Sequence, residues 1–325
     1  MPFTLIKGTF HVRNYSPDGD SIRFQPDDAG LVHGLSGFRP KFNGRHHVQL
    51  RVEAIDALET HFSPPSGGGA LHQPLKLAHA ATDKLLEFVG IGDVEWDQAH
   101  TTVVDARDGT RGYILARSVE KNGRPVAFVY AGEAPEADGT SVRLDVQRLG
   151  DSYNYLALAE GYVYPTYYQG LFHDLRDALT EAVVNARSHH MGVHKIDKTN
   201  DRIDASTLRN ITKRYAILPK LFRRLSEYMV NYGTAVGFKR KLAQSLERVF
   251  DLRNMNFTHF DTFVEQEDDS VIIRLTRRPE ELVFDEMPTR PSGAFSALMG
   301  SETTAPPRFI ETVTLPEEAV RDLSL

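Results

Sequence analysis

Val48, Leu50, Val52 and Ala54 alternate with Gln49, Arg51 and Glu53, the two-residue period of a half-buried strand. The run then passes into Ile55-Asp56-Ala57-Leu58-Glu59-Thr60, which sets two carboxylates on a tight exit just past an arginine. Residues 3–24 read as two shorter strands about Pro17-Asp18-Gly19, where Pro fixes φ and Gly accepts positive φ. Residues 25–45 and 63–69 are rich in chain breakers and predict loops. From Pro74, suited to a first helical position, Leu77, Ala81, Leu85 and Phe88 predict a helix that stops at Gly90. Strands are expected at 93–96, 112–118 and 125–130, the last two joined through an Asn122-Gly123 turn. Asp151 and Ser152 would cap a short helix to Glu160, with Gly161 after it. Residues 162–168 are aromatic and extended. A longer helix over 172–190 carries Leu175, Leu179, Ala182, Val183 and Ala186 on one face and ends at Gly192.

Five short strands with an intervening helix suit a small Greek-key β-barrel of the OB type, and the pattern alone also allows an α+β sandwich. The expected class is α+β. Beyond Thr199 the periodicity turns helical, over 206–215, 217–231 and 235–250, with strand-like runs at 270–276 and 281–284. The predicted organisation is therefore a barrel domain at 1–198 and a mainly helical accessory domain with a small β element at 199–286. A linker or partly disordered tail is expected at 287–325, where Pro, Gly, Ser and Thr accumulate.

Composition narrows the function classes. The chain has 325 residues, a formal charge of −6 and no cysteine, so disulfides and cysteine-ligated zinc are excluded. No apolar run approaches the roughly 20 residues of a membrane helix, and the amino terminus shows no signal-peptide pattern. A soluble, cytoplasmic protein is expected. The total charge does not suggest a nucleic-acid binder, but its distribution changes the picture. Between residues 209 and 248, ten Lys or Arg stand against two Glu, and residues 265–269 then turn acidic. The basic helices at 209–248 would meet nucleic acid, a protein, or that acidic segment. Their interleaved aromatics, among them Phe222 and Phe238, have the spacing of a core.

Asp20 and Asp56, from separate segments, would suit a hard cation that takes oxygen ligands. On a straight strand, Arg51 and Asp56 would lie about 16 Å apart at roughly 3.3 Å per residue, so a shared site requires strong curvature. His190 and His194 are four residues apart, but Gly192 between them predicts surface histidines near a helix end. No Ser-His-Asp nucleophile elbow is present.

These residues together resemble the staphylococcal nuclease (thermonuclease) family. The resemblance rests on Asp18-Gly19-Asp20-Ser21, then Arg51 with Asp56-Ala57-Leu58-Glu59-Thr60, then Lys121-Asn122-Gly123-Arg124 before the run 125–130. Asn154, Gly161, Tyr167 and a helix closing on Gly192-Val193 follow in order, over roughly residues 4–198. It implies an OB-type barrel and a calcium-dependent nuclease that hydrolyses phosphodiester bonds of DNA or RNA. Asp20 and Asp56, with the Ala57 carbonyl, would hold the Ca2+; Glu59 would orient or deprotonate water. Arg51 and Arg124 would fork onto the scissile phosphate, and Lys121 and Tyr167 would contact substrate. Leu58 stands where the family usually has Pro, Asn122 where it has Tyr, and His194 where it has Trp. A non-catalytic nucleic-acid or protein binding module is the alternative.

Overall fold

A computed structural model of the chain describes residues 2–285; the expected tail at 287–325 lies outside the described residues. The main sheet has eight strands. Six form a continuous path: β1 (Phe3–His11), β2 (Arg23–Pro26), β3 (Val48–Gln49), β4 (Arg51–Val52), β5 (Thr110–Val119) and β6 (Pro125–Ala131). Their spatial order is β3-β2-β1-β5-β6-β4. β1 pairs antiparallel with β2, Gly8 opposite Pro26, and with β5, Phe10 opposite Thr110. β6 pairs antiparallel with β5, with an irregularity at Val126/Ala127, and parallel with β4. Since β3 and β4 are successive pieces of one run, the path returns to its start and the sheet nearly closes as a barrel. The α+β class expected from the pattern is what forms.

The run at 48–56 is not one straight strand. The N–H groups of Leu50 and Val52 donate to the carbonyls of Ile22 and Asp20, and that of Glu53 to Ala127. Ala54 then takes the left-handed φ of 67°, and Ile55–Asp56 pairs antiparallel with Tyr164–Pro165. The chain thus takes three partners within nine residues, which supplies the curvature that a shared Arg51–Asp56 site requires.

Inside the barrel, Phe3 meets Phe128 edge-on at 5.5 Å between centroids and Phe10 lies 5.1 Å from Phe24. Four helices matter for the site: α1 (Leu75–Phe88), α2 (Tyr153–Ala159), α3 (His173–Ser188) and α4 (Pro219–Tyr232). Ser152 caps α2 by accepting from the Tyr155 N–H. Gly161 follows at φ 73°, and a Cβ there would lie 2.7 Å from the Met191 carbonyl, so the stop also serves a close approach to the end of α3. β6 is buried at every position but its last, because the barrel fills one face and α2 covers the other.

Beyond Thr199 the expectations need correction in detail. The first predicted helix reduces to a π-helical turn, Asn210–Arg214, and the third to Phe238–Ala243. After Leu246 at φ 49°, the chain re-enters a strand, Arg248–Asp251. That strand pairs with Leu282–Phe284, which runs parallel to Tyr167–Tyr168. One compact unit spans Met1–Met287. Its two apolar clusters interlock: Leu58, Ala78 and Tyr164 belong with Phe222 and Leu225 of α4, while Val283 belongs with the barrel core. Among the described residues, no helix is long and apolar enough to cross a membrane.

Candidate active site

The turn at 18–21 is closed by its own side chain: Asp18 Oδ1 accepts from the Asp20 N–H and the Ser21 hydroxyl, both at 3.4 Å. Tyr153 of α2, fully buried, donates to the Gly19 carbonyl at 2.7 Å. The turn is therefore held from inside the core and presents Asp20 to the next segment. Asp20 Oδ2 accepts from the backbone N–H of Ala57 at 3.2 Å. Ala57 thus meets Asp20 through its N–H, a different contact from the carbonyl ligation that the resemblance implies.

Glu59 is set by Gln73, which has no exposed surface. The Gln73 N–H donates to the Glu59 carbonyl at 2.8 Å, and Gln73 Oε1 accepts from the Glu59 N–H at 3.3 Å. Gln73 Nε2 donates onward to the Ile217 carbonyl at 2.8 Å. Leu58, where the resemblance would imply Pro, is fully buried in the apolar cluster that holds Ile217, Leu221 and Phe222. Packing therefore helps to immobilise this turn.

Asp18, Asp20, Asp56 and Glu59 form one electrostatic group. Burial first, and then the Asp20 and Glu59 charges, push Asp18 well up; burial and the Asp56 charge push Asp20 up. Glu59 is pushed up to about 7 by burial, against the pull of Arg223. Arg223 of α4 is the cation that meets this group. Its Nη1 and Nη2 donate to Asp56 Oδ1 and Oδ2 at 3.0 and 2.8 Å, and Nη1 also donates to Glu59 Oε1. Among the described residues, no three acidic or histidine side chains are gathered as a ready metal cage. Both Asp56 oxygens are engaged by a guanidinium, and an ion placed between Asp56 and Glu59 would meet that charge at hydrogen-bond range. With Arg223 in place, these residues do not fit a divalent ion.

Lys220 is the i, i+3 and i, i+4 neighbour on α4 of Arg223 and Arg224. Buried Glu247 binds Lys220 and Arg224: Lys220 Nζ at 3.2 Å, Arg224 Nε at 2.6 Å and Nη2 at 2.7 Å. Lys220 Nζ also donates to the Tyr168 hydroxyl at 3.0 Å, and the Arg51 guanidinium stands 4.2 Å from the Tyr168 ring centroid. Burial pushes the Tyr168 phenol up, but the Lys220 and Arg51 cations outweigh it and the net direction is down. Arg51, Lys121, Tyr168, Lys220, Arg224 and Glu120 border a cavity of about 130 Å³, room for one small polar group rather than a drug-sized ligand.

The structure brings Asp20, Asp56 and Glu59 together and places Arg51 and Lys121 on this neighbouring cavity. It does not place Arg124 there. Arg124 is held by Glu120, Nε to Oε1 at 3.0 Å, and borders a different cavity with Arg23, Lys41 and Asn43. Asn122 also binds Glu120, through its N–H and Nδ2, both at 3.0 Å, which closes the hairpin where an aromatic was expected. Tyr167 is a correction: it is fully buried, with its hydroxyl 3.0 Å from Thr180 Oγ1, and strand alternation turns its neighbour Tyr168 toward the cavity. His194 is a second: it is buried, 7 % exposed, with neither ring nitrogen hydrogen-bonded among the described residues, and not a surface histidine at a helix end. Arg223, Lys220, Tyr168, Gln73 and Glu247 were not anticipated. The signal for the first two was the basic, amphipathic spacing of 217–231. No family model matches this chain, and no curated protein matches it.

Proposed function

We propose that this protein is a thermonuclease-like phosphodiesterase acting on DNA or RNA, built on an OB-type Greek-key barrel. The observation that carries the reading is the meeting of Asp20, Asp56 and Glu59 in one buried group beside the cavity of Arg51 and Lys121. Glu59, poised near neutrality, has the proton affinity that a general base needs at physiological pH. It would take a proton from water as the water oxygen bonds to phosphorus and the opposite P–O bond breaks. Arg51, Lys121 and Lys220 would stabilise the charge that grows on the phosphoryl oxygens, a task suited to preorganised donors. Tyr168 would offer its ring and hydroxyl to the nucleotide.

The calcium that the resemblance implies has no place in these steps while Arg223 binds both Asp56 and Glu59. Hydrolysis of single-stranded DNA tests the proposal. Glu59→Gln should lower the rate by roughly 100-fold or more, the usual contribution of general base catalysis. Full activity in Glu59→Gln would end the proposal. The same Arg223 pairing favours a second reading, a module that binds nucleic acid without cutting it. Retention of single-stranded DNA with no cleavage, unchanged in Glu59→Gln, is its signature.

A further inference from the structure

We infer that Arg223 is the built-in cation of the acidic group, so that neither binding nor hydrolysis at this site uses a divalent metal. The inference rests on the proposed site and goes beyond it by assigning its counter-charge to α4. The guanidinium forks across both oxygens of Asp56, the bidentate geometry in which arginine binds carboxylates most strongly, and its Nη1 also reaches Glu59. Its position is over-determined. Pro219 starts α4 and Gly233, at φ 70°, ends it. Leu221, Phe222 and Leu225 are buried in the same apolar cluster as Leu58, Gln73 ties the preceding segment to Glu59, and Glu247 clamps the two flanking cations. A side chain so held is not a loose surface arginine folded in by chance. The guanidinium bonds Asp56 and Glu59 and its charge also reaches Asp20, which explains why it is needed: without it, Asp56 and Glu59 would be buried and unpaired.

Two readouts test this on the full chain. The melting temperature of the wild type should be the same in millimolar calcium as in EDTA, to within about 1 °C, since a ligand that binds only the folded state must raise it. Single-stranded DNA hydrolysis should likewise be the same in both. In Arg223→Gln, calcium should raise the melting temperature and restore part of the lost activity. Arg223→Lys, which keeps the charge and loses the fork, should fold and remain indifferent to calcium. A wild-type melting temperature that rises with calcium, and does not in Asp56→Asn, would overturn the inference. So would wild-type cleavage that stops in EDTA. Absence of cleavage under every condition would sink the nuclease reading alone, because the melting measurements decide the inference without it.

Discussion

Asn154 is the residue whose removal should reveal most about how the barrel supports the site. It is fully buried at the start of α2. Its Oδ1 accepts from the Val129 N–H at 3.0 Å, and its Nδ2 donates to the carbonyls of Glu53 at 2.8 Å and Ala127 at 3.2 Å. Ala127 keeps a second partner, the Glu53 N–H at 2.8 Å. In Asn154→Ala, the Val129 N–H and the Glu53 carbonyl would lose these partners. At about 1–3 kcal/mol for the buried Val129 N–H left unsatisfied and less for the part-buried Glu53 carbonyl, the loss is about 3 kcal/mol. For a unit of this size, that lowers the melting temperature by roughly 5 °C. The Glu53 carbonyl immediately precedes the left-handed Ala54 and the Ile55–Asp56 pair, so the damage should reach Asp56. Hydrolysis measured well below the melting transition should therefore fall further than the folded fraction does. A melting temperature within about 2 °C of wild type would refute this account, since a single neutral hydrogen bond is the smallest loss the geometry allows.

Gly19→Ala should place a methyl 2.6 Å from Ala81 Cβ and 2.9 Å from Ala57 Cβ; denaturant titration should show a loss of about 1–3 kcal/mol from overpacking. Glu247→Gln leaves Lys220 buried without its carboxylate and should cost about 3 kcal/mol, with Arg224→Gln milder because its side chain is more exposed. The pH–rate profile should rise through about 7 as Glu59 ionises, and Arg223→Gln should move that midpoint up, because Arg223 holds it down. His47 should add to acid sensitivity: burial, then the His11 charge, push it down to about 4 from 6.5. Between those values the unfolded chain takes a proton that the folded chain refuses, so the His47 contribution to stability falls as pH drops from 6.5 to 4, against the opposite contribution of Glu59, whose raised value favours the folded chain below about 7. His47→Gln should flatten that limb in urea titrations at pH 4 and pH 7.

Much of this molecule was legible along the chain. Alternation placed the strands now seen at Thr110–Val119 and Pro125–Ala131, and apolar spacing placed Leu75–Phe88 and His173–Ser188, because such periods report which face of a local element is buried; cap and stop residues placed Tyr153–Ala159. Ordered short motifs singled out Asp20, Asp56 and Glu59, which the fold unites. What alternation cannot carry is the partner of each strand: a run that looks continuous at 48–56 is divided among Ile22, Ala127 and Tyr164, and only that division bends Asp56 toward Asp20. Tyr167 and Tyr168 are equivalent as letters, yet one is core and the other borders the cavity. Arg223 lies 167 residues from Asp56, and nothing local distinguishes it from Arg224. Its role exists only because α4 is packed on Leu58, where burial makes a compensating charge necessary and fixes which arginine supplies it.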